Sequence, residues 1–358
     1  MDVQAGEDRV RAAGAAGYQA DVAYVAALPL PWGRLDKKTV LITGASGMIG
    51  TFLIQVLLAR KEDIQVIGVG RDLARAKARF APWWGRKDFR FLAQDINEPL
   101  AWEEGADFFL HAASNTHPAA YSADPIGTMT TNVLGTYQLL RSAAACKAER
   151  FLFASSVEVY GENREGQGYF DESYCGYIDC NTLRAGYPES KRAGEALCQA
   201  FIRQEGLDVA VARLSRTYGP TMLLSDTKAI SQFLKKGAAG EDIVLKSVGD
   251  QFYSYSYVAD AVSGLLTVLL KGDCGEAYNV ADPASDITLK DLAQMIAKKA
   301  GTKVVSMLPD AREAAGYSRA TRAVMDGSKL KALGWEAHWD MEAGVERTLR
   351  CLRAEMAR

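Results

Sequence analysis

Between Lys38 and Leu214 the apolar positions of this chain alternate between two rhythms. Lys38-Thr-Val-Leu-Ile-Thr43 carries consecutive apolar and β-branched residues, the pattern of a strand buried on both faces. After Gly44-Ala-Ser-Gly47-Met-Ile-Gly50, the residues Ile49, Phe52, Leu53, Val56 and Leu57 recur at helical spacing and predict a helix over 48–60. The same reading predicts strands over 64–69, 89–93, 108–112, 151–154 and 209–214, and helices over 72–80, 125–146 and 187–204. Strands that alternate with helices point to an α/β protein built on a doubly wound parallel sheet.

After Gly219-Pro220 the rhythm changes. Short strands (243–246, 252–257, 277–280) mix with helices (258–270, 289–300, 341–354). Residues 38–220 are therefore expected to form the main domain and 221–358 mostly a smaller C-terminal α/β substrate domain, with 258–280 returning to the main sheet. Residues 1–37 read as a helical extension, with a helix over 8–27 that Pro29 and Pro31 end. Docking on the main domain is its bland role; a part in closing over substrate is the alternative.

Composition narrows the classes. Apolar residues make up 48% and charged residues 24% of 358, an ordinary globular balance. The net charge of −2 gives no sign of a polyanion-binding face, so no nucleic-acid partner is expected. Six cysteines without a C-x-x-C pair read as reduced thiols of a cytoplasmic protein. Three histidines, His111, His117 and His338, lie outside any ligand spacing, so no metal is expected. No apolar run approaches the ~18 residues of a membrane span, and Met1–Gly33 lacks the pattern of a secretory signal.

The glycines at 44, 47 and 50 stand between a strand and a helix. There they permit a tight turn, close approach of backbone to a pyrophosphate and close packing of helix on strand, while the helix N-terminus favours anions. In that context Gly44, Ser46, Gly47, Met48, Ile49 and Gly50 read as the cradle of a dinucleotide, and the sheet as Rossmann-type. Asp95, followed by Ile96, sits after the third strand, where a carboxylate can accept the adenine amino group. The second strand ends Gly68-Val-Gly-Arg71-Asp72. NAD-selective sites place an acid near this end, yet Gly70 occupies that place. Arg71 or Arg75 could hold a 2′-phosphate, and Asp72 either serves the ribose or caps the next helix. These residues leave NAD and NADP both open as the cofactor.

Tyr187-Pro-Glu-Ser-Lys191 puts a phenol and an ammonium on one face of a helix. A nearby ammonium favours the phenolate, so Tyr187 can act as base, with Lys191 lowering its pKa and binding the nicotinamide ribose. Ser156, ending the fifth strand, can bond the same substrate hydroxyl. Glu158, two residues on, falls on the same side if the backbone stays extended. It either removes a carbon-bound proton or bonds the following loop.

Together these residues resemble the extended short-chain dehydrogenase/reductases, the NAD-dependent epimerase/dehydratase family that modifies nucleotide sugars. The resemblance spans about 38–353. It rests on GASGMIG at Gly44, DI at Asp95, HAAS at His111, TNVLGT at Thr131, SSVEVYG at Ser155, YPESK at Tyr187, RTYGP at Arg216 and YVAD at Tyr257. It adds Ala112, Ala113, Ser114 and Asn132 to the cofactor site, and Ser155, Arg184, Arg216 and Tyr253 to the substrate site. Asp124-Pro-Ile, Glu158 and Arg184 bring it nearest UDP-glucuronate decarboxylases, then sugar-nucleotide 4,6-dehydratases. It implies a homodimer and a redox-neutral cycle through a transient keto-sugar, with Glu158 acting beside the ketone. Three positions depart. Val157 stands where dehydratases carry an acid and decarboxylases a Ser, Arg216 where the decarboxylases carry Asn, and Tyr253 where an Arg clamps the diphosphate. Tyr253, Tyr255 and Tyr257 share one face of a strand, for packing or for stacking on a base. The alternatives are an NADP-dependent carbonyl or sugar reductase and a non-catalytic dinucleotide-binding protein.

Overall fold

The computed structural model describes residues 16–116, 123–164, 166–307 and 321–357. The strands are β1 (Lys38–Thr43), β2 (Ile64–Gly70), β3 (Phe89–Ala93), β4 (Phe108–His111), β5 (Arg150–Ser156), β6 (Val209–Leu214), β7 (Arg216–Tyr218), β8 (Ile243–Leu245), β9 (Phe252–Tyr257), β10 (Ala277–Val280), β11 (Asp286–Thr288), β12 (Val304–Ser306) and β13 (Arg322–Ala323). Seven form one parallel sheet in the order β10-β6-β5-β4-β1-β2-β3. This is the doubly wound Rossmann-type sheet that the alternating pattern predicts. Consecutive residues of β1 face opposite sides. Val40 and Ile42 join the core with Phe52 and Ile54, and Leu41 joins a second core with Phe109 and Leu139. Helices thus cover both faces, and the strand order reverses beside β1, where such sheets bind ligands. In the helix Met48–Leu58 every residue from Gly50 on is buried. Each fully buried Leu or Phe there contributes about 1.5–3 kcal/mol.

The later elements follow a second plan. β9 pairs with β7 and β13 in parallel and with β11 antiparallel, and β8 pairs with β12 in parallel. These small sheets, with the helices Ala229–Ala238 and Leu289–Ala300, face the C-terminal ends of the main strands.

The helix predicted over 125–146 is interrupted. Pro125–Thr130 and Thr136–Ala145 are α-helical, and Thr131–Gly135 between them is a π segment. At Gly135 a side chain would strike Ile96 Cδ1, 2.6 Å from the Cβ position. The tight passage beside Ile96 is what periodicity could not show.

The N-terminal helix, Ala16–Ala27, packs on the helices Met48–Leu58, Val258–Lys271 and Met341–Met356. Residues 8–15 of the predicted helix lie outside the described residues. Tyr18 meets Phe52 edge-on at 5.4 Å. Asp21, 1% exposed, accepts hydrogen bonds from the Tyr257 hydroxyl at 2.7 Å and the Arg347 guanidinium at 2.5 Å. Asp21→Ala should cost about 1–3 kcal/mol by stranding both donors. Thermal unfolding checks this; an unchanged midpoint would show that the clasp adds nothing. Among the described residues no helix is long and apolar enough to cross a membrane, and no group of three acidic, His or Cys residues could hold a metal ion.

Candidate active site

The C-terminal ends of β1, β2, β4, β5 and β6 open on a cleft of about 940 Å³, faced by β7, β9 and the helix Ala229–Ala238. The glycine loop forms one wall. Gly44 adopts φ +68°, and a Cβ there would lie 2.7 Å from the Ala112 carbonyl oxygen. At Gly50 a Cβ would run into the Gly44 carbonyl oxygen. Only bare backbone lets loop, helix and strand end approach this closely. Gly44, Ser46, Gly47, Met48, Ile49 and Gly50 all line the cleft, as do Arg71, Asp95, Ile96, Ala112, Ala113 and Ser114. Asp72 caps the helix Leu73–Arg79 by accepting the Arg75 N–H at 2.8 Å.

His111 sets the next strand end. Its ring contacts Thr43 Oγ1 at 2.8 Å and Thr136 Oγ1 at 3.0 Å. Burial, with Lys191 nearby, holds its pKa well below the usual range, so it is neutral. Thr43 Oγ1 in turn accepts the Ala113 N–H at 3.2 Å. Asn132 does not line the cleft. It is fully buried, accepts from Ser114 Oγ at 2.7 Å and donates to Ser190 Oγ at 2.9 Å. It holds Ser114 from behind.

Tyr187 lies near the start of the helix Gly186–Glu205, and its hydroxyl is hydrogen-bonded to Ser156 and Ser114. Burial pushes the phenol up to about 12; the Ser156 bond lowers it, the Glu158 carboxylate raises it, and Arg184 and Ser114 lower it. Lys191 is not among these main influences. It is buried, donates to the Ala154 carbonyl at 2.8 Å and lies over the Phe153 ring. Burial lowers the ammonium to about 8, with Glu195 opposing. The expectation that Lys191 keeps Tyr187 acidic does not describe this state, because the ammonium faces a strand carbonyl.

Ser156 ends β5, and Val157–Tyr160 then coils into a 3₁₀ turn whose Glu158 N–H bonds Ser156 Oγ at 3.3 Å. Glu158 thus reaches the cleft through a turn, not along an extended strand. Its carboxylate accepts from Arg184 at 2.8 Å and lies 3.6 Å from the Arg216 guanidinium. Arg216 also stacks over Tyr253, 3.5 Å from the ring centroid. That face of Tyr253 is covered by the cation. Tyr255 lines the cleft too, while Tyr257 turns to Asp21.

Ser155 behaves otherwise than expected. Its backbone borders the cleft, but it is buried and Oγ donates to Glu195 Oε1 at 2.5 Å. Glu195 is paired with Arg213 at 2.7 Å. The Ser155 hydroxyl is therefore engaged by Glu195 in this arrangement. Glu195 was not legible as part of the site. Its one signal was its place one turn beyond Lys191 on the same helix face.

The profile of the NAD dependent epimerase/dehydratase family matches residues 40–281. UDP-glucuronic acid decarboxylase 1 of Xenopus tropicalis is 32% identical over 323 residues, covering 90% of this chain and 73% of that protein. UDP-glucuronic acid decarboxylase 6 of Arabidopsis thaliana is 32% identical over 315 residues, 87% of each chain. The crystal structure of the dTDP-glucose 4,6-dehydratase DesIV from Streptomyces venezuelae, with NAD and TYD bound, superposes with a TM-score of 0.78 at 26% identity, covering 89% of this chain and 98% of that one. On the matched profile, the relatives and the shared fold, the chain belongs to the NAD dependent epimerase/dehydratase family of enzymes.

Proposed function

We propose that the chain modifies a nucleotide sugar through a transient keto-sugar, with NAD held on the glycine loop. One observation carries the reading: the Tyr187 hydroxyl, hydrogen-bonded to Ser156 and Ser114, opens on the same cleft as that loop. Gly44 and Gly50, where an added Cβ would strike neighbouring backbone, let the loop close tightly under the helix N-terminus, whose free N–H groups suit a pyrophosphate. Gly44, Ser46, Gly47, Met48, Ile49, Gly50, Asp95, Ile96, Ala112 and Ala113 would hold the dinucleotide. Bound NAD supplies a hydride acceptor. Residues 38–220 with 258–280 are assigned to the cofactor half, and the rest of 221–358 to the substrate half.

In this reading Ser156 orients a sugar hydroxyl and Tyr187 takes its proton. Lys191 stands one turn further along the same helix face. Once a carbonyl forms, the neighbouring carbon becomes acidic, or a neighbouring carboxylate becomes a β-keto acid. Glu158, steadied by Arg184, moves the proton there. Val157 is buried and apolar, with no proton to give to a leaving hydroxyl. That favours decarboxylation or epimerisation over loss of water. The test is to incubate the enzyme with catalytic NAD and UDP-glucuronic acid, UDP-glucose or dTDP-glucose and follow sugar products by NMR. Product without net cofactor change supports the cycle. Consumption of one NADPH per product would instead support the reductase reading, which Arg71 and Arg75 at the cleft motivate.

The same reading assigns Arg216 to the substrate's phosphate. Its Nη1 is buried without a partner, and guanidinium geometry suits phosphate oxygens. Arg216→Ala should weaken nucleotide-sugar binding about 10- to 100-fold. Unchanged affinity in calorimetry would remove the assignment.

A homodimer is also proposed. Ile126, Met129, Leu134 and Tyr137 are exposed at helical spacing on the interrupted helix, with Leu183 exposed nearby. Such a stripe suits a second copy across a two-fold axis. Light scattering should give twice the chain mass, and Ile126→Glu with Leu134→Glu should halve it. A monomeric wild type would refute the dimer.

A further inference from the structure

We infer that Glu195 is a positioning residue of the reaction: it clamps the end of β5, which carries Ser156, to the helix that carries Tyr187, and it is the counter-charge of Lys191. The inference rests on reading Tyr187 as the acting base. Tyr187, Lys191 and Glu195 follow at four-residue spacing on the helix Gly186–Glu205, so they share one face. Each meets the end of β5 at a different residue. Tyr187 bonds Ser156, Lys191 donates to the Ala154 carbonyl at 2.8 Å, and Glu195 accepts from Ser155 Oγ at 2.5 Å.

The carboxylate is itself held. Arg213 on β6 donates to both of its oxygens, at 3.0 and 2.7 Å. Arg213 is fixed in turn by the Tyr160 hydroxyl at 3.0 Å and the Glu172 carbonyl at 2.8 Å. Ser155 and Arg213 are partners across β5 and β6, so one carboxylate joins the helix to two neighbouring strands. A two-pronged charged bond fixes angle as well as distance. Slippage of the helix at Glu195 would carry Tyr187 away from Ser156, and a misplacement of about 1 Å at reacting groups can cost about 10²-fold in rate.

Lys191 is 3% exposed and borders the cleft, where an ammonium has hydrogens to give to a ribose. The titratable groups about it are Glu195 and Cys198 further along its helix, Tyr187 one turn back and His111 at the end of β4, with Arg213 of β6 beyond Glu195. His111 is neutral, and burial raises both the Cys198 thiol and the Tyr187 phenol. Glu195 is the negative charge among these groups, and it opposes the burial that lowers the ammonium to about 8.

Two substitutions separate clamp from charge, with turnover measured on UDP-glucuronic acid, UDP-glucose or dTDP-glucose, whichever the wild type converts. Ser155→Ala cuts the tie to β5 and leaves Glu195 paired with Arg213. Its kcat should fall about 10-fold with KM and the pH profile unmoved. Glu195→Gln keeps an acceptor for Ser155 and removes the charge, while Arg213 retains Tyr160 and Glu172. Loss of the carboxylate disfavours the ammonium, so the Lys191 proton should leave at lower pH. The alkaline limbs of kcat and of NAD affinity, the latter followed by calorimetry, should both move down by about one pH unit. A purely structural ion pair would lower the melting temperature and move neither limb. An unchanged kcat in Ser155→Ala, or unmoved limbs in folded Glu195→Gln, overturns the inference; should the Gln variant not fold, Ser155→Ala decides alone. Tyr187→Phe is the control. If it is inactive while the other two variants behave as wild type, the base assignment stands and only the inference falls; if it is fully active, both fall.

Discussion

Tyr187→Phe should lower turnover about 10²- to 10⁴-fold while leaving dinucleotide affinity within about threefold. The ring remains to fill its buried site, and what is lost is the oxygen that Ser156 and Ser114 hold. Burial keeps that phenol protonated at neutral pH in the free chain, since its pKa is pushed up to about 12. Ionisation therefore has to be helped by what binds beside it. The ultraviolet difference spectrum between wild type and Tyr187→Phe should show no phenolate at neutral pH without cofactor. With oxidised dinucleotide present, the transition should move to lower pH, because a positive ring favours the anion. Full turnover in the Phe variant would end the assignment.

Glu158→Gln should slow product formation about 10²-fold yet spare the first oxidation. Gln keeps an acceptor for Arg184, whose bond to Glu158 is 2.8 Å, so the fold is retained. It lacks the basic oxygen that would move a proton at the carbon beside the ketone. Enzyme mixed with nucleotide sugar should then hold its cofactor in the reduced form, visible as a persistent nicotinamide absorbance. Normal product formation by this variant would leave Glu158 as a mere partner for two arginines. Glu158→Ala is a poorer test, because it leaves Arg184 and Arg216 facing each other without their shared counter-charge.

Much of this site could be read along the chain because its determinants are local. The glycine spacing at 44, 47 and 50, and the Tyr187–Lys191 pair one helical turn apart, depend on a few residues each. The parallel sheet followed from strands that alternate with helices. What escaped depends on side-chain direction across distant segments. Lys191 is on the right face, but its ammonium goes to the Ala154 carbonyl on β5. Ser155 and Ser156 are neighbours, and the pleat sends one hydroxyl back to Glu195 while the other meets Tyr187. Arg216 and Tyr253 lie on different strands, and only the pairing of β7 with β9 sets the cation on the ring. β11, β12 and β13 are too short to carry a periodicity of their own.

The π segment at Thr131–Gly135 makes this stretch sensitive to length rather than to side-chain chemistry. Asn132 anchors Ser114 on one side of it, and Thr136 anchors His111 on the other. Deleting Val133 would remove the extra residue that the π turn absorbs and let the run become a regular α-helix with its later residues close to their present phase. The spacing between Asn132 and Thr136 would then fall from four residues to three, so the ties to Ser114 and His111 would have to be remade across a tighter turn. Replacements at Val133 should be absorbed far more easily than the loss of a single position.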